Sequence, residues 1–350
     1  MPRPLFVVAA TLLGAVALAQ PALAQDDFTT ATFGGTTIWV GGGVQFLSLP
    51  DIKFTYKGGP GNFRRQTNSS GDWLDFGGAT AGGIETALGY WGGMRASGSV
   101  KGFWANVEDD DTTRCSGAGA YCAVVDPTGG FVTPSTSLVT KANREADYWG
   151  AQAELKLATG APTEVKPTFY RNDYFIAGFD VRGIDQNNKL RSATGTNFIY
   201  KETLDTTYVG GYVGIGGEYS FGFIPGIKNV GGIYDRLGLR TFVNATAGLY
   251  NAETDYSGQF NSGAFGSRLS KSNDELAFIG TVSLETRKQI GARTSLSLWT
   301  DYEYISSVPQ MRYANGVGSA TQIRDDSIFA SRTMLRLNIG LGSQGLYPAQ

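Results

Sequence analysis

The dominant pattern along the chain is an alternation of apolar and polar residues with a period of two. Within residues 36–47, for example, Ile38, Val40 and Phe46 share one parity and Gln45 takes the other. This alternation predicts β-strands, because successive side chains of a strand point to opposite faces. The pattern recurs in segments distributed over most of the chain, so we predict an all-β fold.

The predicted strands are long enough to cross a membrane, which takes about 9 to 11 residues per strand. Long polar connections, such as residues 108–146 and 184–203, alternate with shorter ones, as in barrels with short periplasmic turns and long extracellular loops. We therefore predict a closed antiparallel transmembrane β-barrel of about ten strands, and of twelve strands if residues 121–132 form one more hairpin. The ten segments lie near residues 36–47, 72–90, 94–104, 148–157, 172–183, 207–221, 236–250, 275–287, 295–304 and 329–341.

The charged residues within these segments support the barrel over a soluble sheet. All of those away from the segment ends take the parity opposite to the large apolar residues, whereas an Arg or Lys facing lipid at mid-depth costs about 2 to 4 kcal/mol. We therefore predict that these charges line the lumen. They are Asp75, Glu85, Arg95, Lys101, Glu154, Lys156, Asp180, Arg182, Glu218, Arg240, Glu285, Arg287, Asp301, Glu303, Arg332 and Arg336.

The first 24 residues have the features of a signal peptide for export. Arg3 provides positive charge, residues 5–19 form an apolar core, and residues 22–24 form a small-x-small cleavage site. The apolar core is shorter than the roughly 20 residues that a membrane helix needs. We expect residues 25–35 to form a periplasmic segment, residues 36–342 the barrel, and residues 343–350 a C-terminal tail.

Composition excludes several other classes of protein. Only 17% of the residues are charged and the net charge is -2, which argues against a nucleic-acid binder. Cys115 and Cys122 are the only cysteines, and we predict that they form a disulfide, because an exported chain passes through an oxidising compartment. The rival reading, a metal site, lacks histidine ligands, so we expect neither a metal nor a cofactor.

Aromatic residues collect near the ends of the predicted strands, among them Trp104, Trp149, Tyr90, Tyr219 and Tyr304, as in the interfacial girdles of membrane proteins. Together with the signal peptide, the alternating strands and the turn and loop pattern, the chain resembles the small OmpA-type and porin-like barrels of the Gram-negative outer membrane, especially those of alphaproteobacteria. The resemblance implies residence in the outer membrane. It also implies contact with outer-membrane lipid and lipopolysaccharide, and insertion by the barrel-assembly machinery.

Three functions remain open at the level of sequence. If the interior charges pair with one another, the barrel is a plugged structural anchor. If they line a water path, it has a weakly porin-like role for small polar solutes. The acidic loop residues 109–111 would instead act in a surface receptor. Barrel phospholipases, omptin-type proteases and lipid A acyltransferases use a histidine, and this chain has none. We therefore expect that the chain is not an enzyme. Oligomeric state is not predicted.

Overall fold

The computed structural model describes residues 35–59, 62–66, 75–116, 121–135, 137–158, 163–166, 169–193, 197–219, 239–291, 293–313 and 320–341. This part of the chain is all-β. None of the described residues forms a helix long and apolar enough to cross a membrane. The strands are β1 (Thr36–Leu47), β2 (Thr55–Gly59), β3 (Asn62–Gln66), β4 (Asp75–Trp91), β5 (Met94–Ser116), β6 (Tyr121–Val125), β7 (Phe131–Ser135), β8 (Ser137–Ala158), β9 (Thr163–Lys166), β10 (Phe169–Ser192), β11 (Ile199–Tyr219), β12 (Leu239–Ser262), β13 (Phe265–Gly291), β14 (Thr294–Arg312) and β15 (Gln322–Leu341).

Eleven strands form one antiparallel, ring-like sheet in the order β11-β12-β13-β14-β15-β1-β4-β5-β8-β10-β9. β10 also pairs with β11, so the order of pairing returns to its first strand. The first and last strands of the chain are neighbours, with Thr36 opposite Leu341. Short β9 is an additional strand that pairs with β10 alone among the described strands. We call the end of the ring that carries the tight β4–β5 turn, with Gly92 and Gly93 at positive φ, the turn end.

A second sheet has the order β3-β2-β6-β7. The predicted count of about ten strands is therefore too low, because it included only the long strands. The alternative with an extra hairpin at residues 121–132 is closer to the structure, since β6 and β7 form that hairpin. The hairpin pairs with β2 rather than joining the ring.

Several segments predicted as polar loops are continuous strand. β5 extends to Ser116, β10 and β11 cover most of residues 184–203, and β12 and β13 cover residues 255–273 apart from a tight turn. Residues 306–312 and 322–325, which lie between the last two predicted segments, are likewise strand. In these stretches most outward residues are polar, with Ile199 an exposed exception, so the stretches lack the continuous apolar outward face on which the strand predictions depended.

Exposed apolar side chains form a band on the outer face of the ring, from the turn end to about half-way along the longest strands. We call this band the apolar belt. Its outward positions among the described residues carry no charge except near the turn end, where Asp173 precedes Phe175 and Lys288 lies beside the β13–β14 turn. The exposed large members of the belt are Ile38, Val40, Phe76, Leu88, Tyr90, Trp91, Trp104, Phe175, Phe179, Val209, Val213, Ile215, Val243, Leu249, Leu276, Phe278, Val282, Leu284, Ile290, Leu296, Leu298, Tyr302, Phe329, Leu335, Leu337, Ile339 and Leu341.

Aromatic rings mark the far edge of this belt. The ring centroids of Phe46 and Phe76 lie 5.2 Å apart, and Tyr304 lies 5.2 Å from Phe329. Trp104 on β5 stands opposite Trp149 on β8. Beyond these rings the outward residues become polar within one or two positions, so the belt has a sharp upper limit.

Above the belt the inside of the ring is packed with apolar side chains. One cluster includes Leu47, Ile184, Tyr208 and Val308, and a second, further from the belt, includes Phe54 and side chains of seven ring and inner strands. Phe54 precedes β2 and packs against Tyr200 at a centroid distance of 4.4 Å. The far half of the ring is therefore filled by protein.

The predicted signal peptide (residues 1–24), nearly all of the predicted periplasmic segment (25–35) and the predicted tail (343–350) lie outside the described residues. These assignments remain predictions.

Candidate functional site

The sixteen charged residues predicted from parity all lie on the inner face of the ring, the face opposite the apolar belt. Ten are buried: Asp75, Arg95, Asp180, Arg182, Glu218, Glu285, Asp301, Glu303, Arg332 and Arg336. The other six are partly buried: Glu85, Lys101, Glu154, Lys156, Arg240 and Arg287.

Five of these residues form a central charge cluster at the level of the belt's far edge. Arg182 on β10 contacts Asp180 at 2.6 Å and Glu303 at 3.0 Å. Arg332 on β15 contacts Asp301 at 3.1 Å and Glu303 at 3.6 Å. β10 and β14 are not neighbours in the sheet, so the contact between Arg182 and Glu303 crosses the interior of the ring. Glu303 thus joins the two arginines.

Neighbouring side chains complete the packing of the central charge cluster. The Tyr148 hydroxyl donates to Glu303 at 2.5 Å, and Gln152 donates to Asp180 at 2.7 Å. The Arg332 guanidinium lies 3.7 Å from the centroid of the Phe103 ring, a cation–π contact. The gap that Tyr148, Glu303 and Arg332 help to line has no room for a water molecule. The cluster therefore blocks this part of the cross-section.

A second group of charges lies nearer the turn end. Glu285 contacts Arg287 at 2.9 Å and Arg336 at 3.5 Å. The Arg336 guanidinium lies 4.0 Å from the Trp39 ring and 3.3 Å from the Trp299 ring. The two aromatic rings hold this cation in one orientation, although the side chain that carries it is long and flexible.

Lysines and glutamates from β4, β5 and β8 face this second group. Lys156 contacts Glu85 at 3.2 Å and Glu154 at 3.6 Å, and Lys101 contacts Glu154 at 3.6 Å. Between the two groups is a cavity of about 80 Å³. Since a water needs about 10 to 15 Å³ by this measure, the cavity can hold a few waters. Small polar molecules therefore find room in this part of the described interior.

The remaining predicted residues pair nearer the two ends. Glu218 accepts from Arg240 at 3.4 Å, and Arg95 donates to Asn172 at 3.1 Å. Asp75 contacts Arg144 at 3.5 Å, and Arg144 is a buried cation that the sequence analysis assigned to a loop. Its even parity on the same strand as Glu154 and Lys156 is the signal that could have found it.

A buried carboxyl group in the far half of the ring was not predicted from the sequence. Glu202 on β11 accepts from the Tyr313 hydroxyl at 2.6 Å and from the Asn188 amide at 2.9 Å. Burial raises the pKa of Glu202 to about 7, although these hydrogen bonds oppose the shift. Glu202 lies in a stretch predicted as loop, so no parity was assigned to it.

Cys115 and Cys122 form the predicted disulfide, which links the far end of β5 to β6 of the second sheet. Both cysteines are buried in the far apolar cluster that contains Phe54. The described part of the chain holds no group of three or more side chains placed to bind a metal ion.

No protein-family model matches the chain, and no curated protein matches it in sequence. Solved structures with a similar fold are outer-membrane proteins. The outer membrane protease OmpT of Escherichia coli has 9% identity and a TM-score of 0.45, with 91% of this chain and 100% of that chain covered. A FadL homologue of Pseudomonas aeruginosa has 7% identity and a TM-score of 0.26, with 87% and 90% covered. An outer membrane channel of Pseudomonas putida F1 has 10% identity and a TM-score of 0.23, with 91% and 100% covered.

One expectation from the sequence is corrected by this comparison. We expected that the chain is not an enzyme because it has no histidine, yet the first of these similar structures is a protease. The missing histidine excludes only mechanisms that need one. At this level of identity the likeness concerns the fold alone.

Proposed function

We propose that this protein is an outer-membrane β-barrel whose interior is closed to solutes, and that it acts as a rigid structural anchor. The apolar belt supports the membrane location. Its exposed side chains, among them Val213 and Leu284, would face water in a soluble protein, whereas hydrocarbon would stabilise each of them by about 25 cal/mol per Å² buried. Within the belt, charges are confined to the inner face except near the turn end, as the cost of a charge in lipid requires.

The central charge cluster is the observation that carries the structural role. A barrel of about eight strands is already filled by side chains, and a few more strands widen it only slightly. Here Arg182, Glu303 and Arg332 meet across the centre, and above them the apolar clusters fill the far half. An ion entering from the turn end would reach the 80 Å³ cavity and stop at this cluster.

Conductance measurements test the proposal. The purified protein, inserted into planar lipid bilayers, is expected to show no regular conductance steps. Truncating the cluster as charge-balanced pairs, by Asp180→Ala with Arg182→Ala and Asp301→Ala with Arg332→Ala, removes four side chains without changing the net charge of the cluster, in which Glu303 remains. We expect this quadruple variant to conduct only weakly, since the packed far half remains.

The control replaces Arg240 and Glu218 with alanine, a charge-balanced pair outside the central cluster, and is expected to stay silent. Regular conductance steps from the unmodified protein, which a small polar solute that enters the cavity reduces, would contradict the anchor. They would favour the porin-like alternative. Recovery of the protein in the soluble fraction would contradict the membrane location itself.

The length of the strands favours a second role at the far end. β12 has 24 residues, which span about 80 Å along the strand and about 60 Å along a barrel axis at a tilt near 40°. The apolar band of such barrels is only about 25 Å tall. We therefore propose that the packed far half projects outside the cell, where it forms a rigid platform for binding. Deleting residues of the platform should leave insertion into vesicles intact.

A further inference from the structure

Four cations form a patch on the outer wall of the projecting half. In the strand pairing, Lys141 on β8 stands directly opposite Arg191 on β10, and Lys189 on β10 stands directly opposite Lys201 on β11. All four side chains are exposed. Like charges directly opposite each other on one face of a sheet are destabilising. We call these four residues the cationic patch.

The cationic patch has more cations than acidic neighbours. None of its four members takes part in an ion pair among the described residues. Three of them, Lys141, Lys189 and Arg191, line a groove of about 360 Å³ on the wall. Asp110 and Asp111 also line the groove, and Asp110 accepts a hydrogen bond from Asn143 at 2.9 Å.

The height of the cationic patch above the apolar belt determines which anionic groups can reach it. Immediately above the belt, the pairing aligns acidic residues of four successive strands: Asp147, Asp185, Asp205 and Asp255. The row offers no cation to a phosphate at the edge of the hydrocarbon, and Asp147 and Asp185 accept hydrogen bonds from Asn106 and Trp149. The cationic patch lies further out, since Lys141 is eight residues beyond Trp149 at the belt edge. At about 3.3 Å per residue and a tilt near 40°, this distance is about 20 Å along the axis.

We infer that the cationic patch binds an anionic saccharide of the surrounding outer leaflet, a phosphorylated or carboxylated sugar chain that is linked to lipid. The inference rests on the membrane location proposed above, which sets the height. Lysine and arginine heads in a groove provide several donors for phosphate or carboxylate oxygens. A glycerophospholipid headgroup has its phosphate too close to the hydrocarbon to reach the patch. The partner is therefore the core sugar region of lipopolysaccharide rather than a simple lipid headgroup.

Native mass spectrometry of the folded protein in detergent micelles measures this binding. The ligands are phosphatidylglycerol, lipid A, and lipopolysaccharide with a phosphorylated core. The patch variant carries Lys141→Gln, Lys189→Gln and Arg191→Gln. A matched control carries Arg268→Gln, Arg312→Gln and Arg324→Gln, which removes three exposed cations elsewhere on the far half.

We expect the unmodified protein to bind the core-bearing lipopolysaccharide at least about tenfold more tightly than lipid A, since each charge-assisted contact contributes severalfold in affinity. The patch variant should lose this difference, and the control should keep it within about twofold. A charge-retaining variant, Lys141→Arg with Lys189→Arg and Arg191→Lys, should keep it within about threefold.

Equal losses in the patch variant and the control would overturn the inference, because total charge would then explain the binding. Equal affinity of the unmodified protein for lipid A and for the core-bearing form would also overturn it. Co-flotation of every variant with phosphatidylcholine vesicles tests the membrane location separately. A protein that does not float refutes the proposed function, whereas one that floats without the saccharide preference refutes only the patch.

Discussion

We expect two substitutions in the central charge cluster, Glu303→Gln and Arg332→Met, to lower the free energy of unfolding by different amounts, because they leave different numbers of charges behind. The five residues are two arginines and three carboxylates, Asp180, Asp301 and Glu303. Glu303 is shared, and each arginine has another carboxylate of its own. Glu303→Gln therefore leaves two balanced pairs, whereas Arg332→Met leaves three carboxylates around Arg182 alone.

The size of each loss of stability depends on the charges that the substitution leaves buried without a partner. Removing one partner of a buried ion pair costs about 3 to 5 kcal/mol, because an uncompensated charge remains in a low dielectric. We expect that cost for Arg332→Met. Glu303→Gln keeps an acceptor for the Tyr148 hydroxyl and loses only shared attraction, so we expect it to cost about 1 kcal/mol or less.

Urea unfolding in lipid vesicles, followed by tryptophan fluorescence, measures both changes. Adding Asp301→Asn to Arg332→Met restores the original excess of one carboxylate, and we expect this second change to recover about 2 kcal/mol. If Glu303→Gln destabilises the protein as much as Arg332→Met, charge balance does not govern the cluster. Failure of Asp301→Asn to recover stability would lead to the same conclusion.

Three further predictions concern other parts of the fold. Leu284→Arg places a cation in the apolar belt and should lower the free energy of unfolding in vesicles by about 2 to 4 kcal/mol, whereas Leu284→Ala should cost less. Because the folded pKa of Glu202 is raised from 4.5 to about 7, ionisation opposes folding, and stability should fall by about 3 kcal/mol as the pH rises between those values. Glu202→Gln should abolish this fall in pH-dependent unfolding. Replacing Cys115 and Cys122 with serine opens a short loop and should cost about 2.5 kcal/mol in the far half, visible as faster local hydrogen exchange there and not in the belt.

Parity along the chain was enough to predict the inner face within the belt. Arg332 and Arg336 alternate with Leu335 and Leu337, and the structure buries the first two and exposes the last two. Parity is sufficient here because side chains of a strand alternate between two faces, and a charge on the face toward lipid is costly. The range of β1, Thr36–Leu47, was also predicted from this alternation.

Ion-pair partners could not be predicted in the same way. Arg182 and Glu303 are far apart in sequence and lie on strands that are not neighbours. Their contact depends on the width of the ring and on the stagger of its strands, which no local pattern encodes. The sequence therefore yields a list of interior charges without their pairing.

The far half was missed because its polarity is inverted. Tyr200 and Leu204 point inward and are buried, while Lys201 and Asp205 point outward and are exposed. The alternation is still present there, but its apolar face belongs to the inside. The run of apolar residues at outward positions of β11 ends at Val209. In the proposed membrane location, the surroundings of the strand change there from hydrocarbon to water.

The pairing of the first strand with the last has a consequence for biogenesis. Thr36 meets Leu341, so a nascent chain cannot satisfy the β1 edge until β15 has arrived. A product that stops before β15 keeps two long unpaired edges, which favour aggregation and proteolysis. Loss of even this one terminal strand should thus abolish accumulation of the protein, whereas trimming the short hairpin β6–β7 should be far milder.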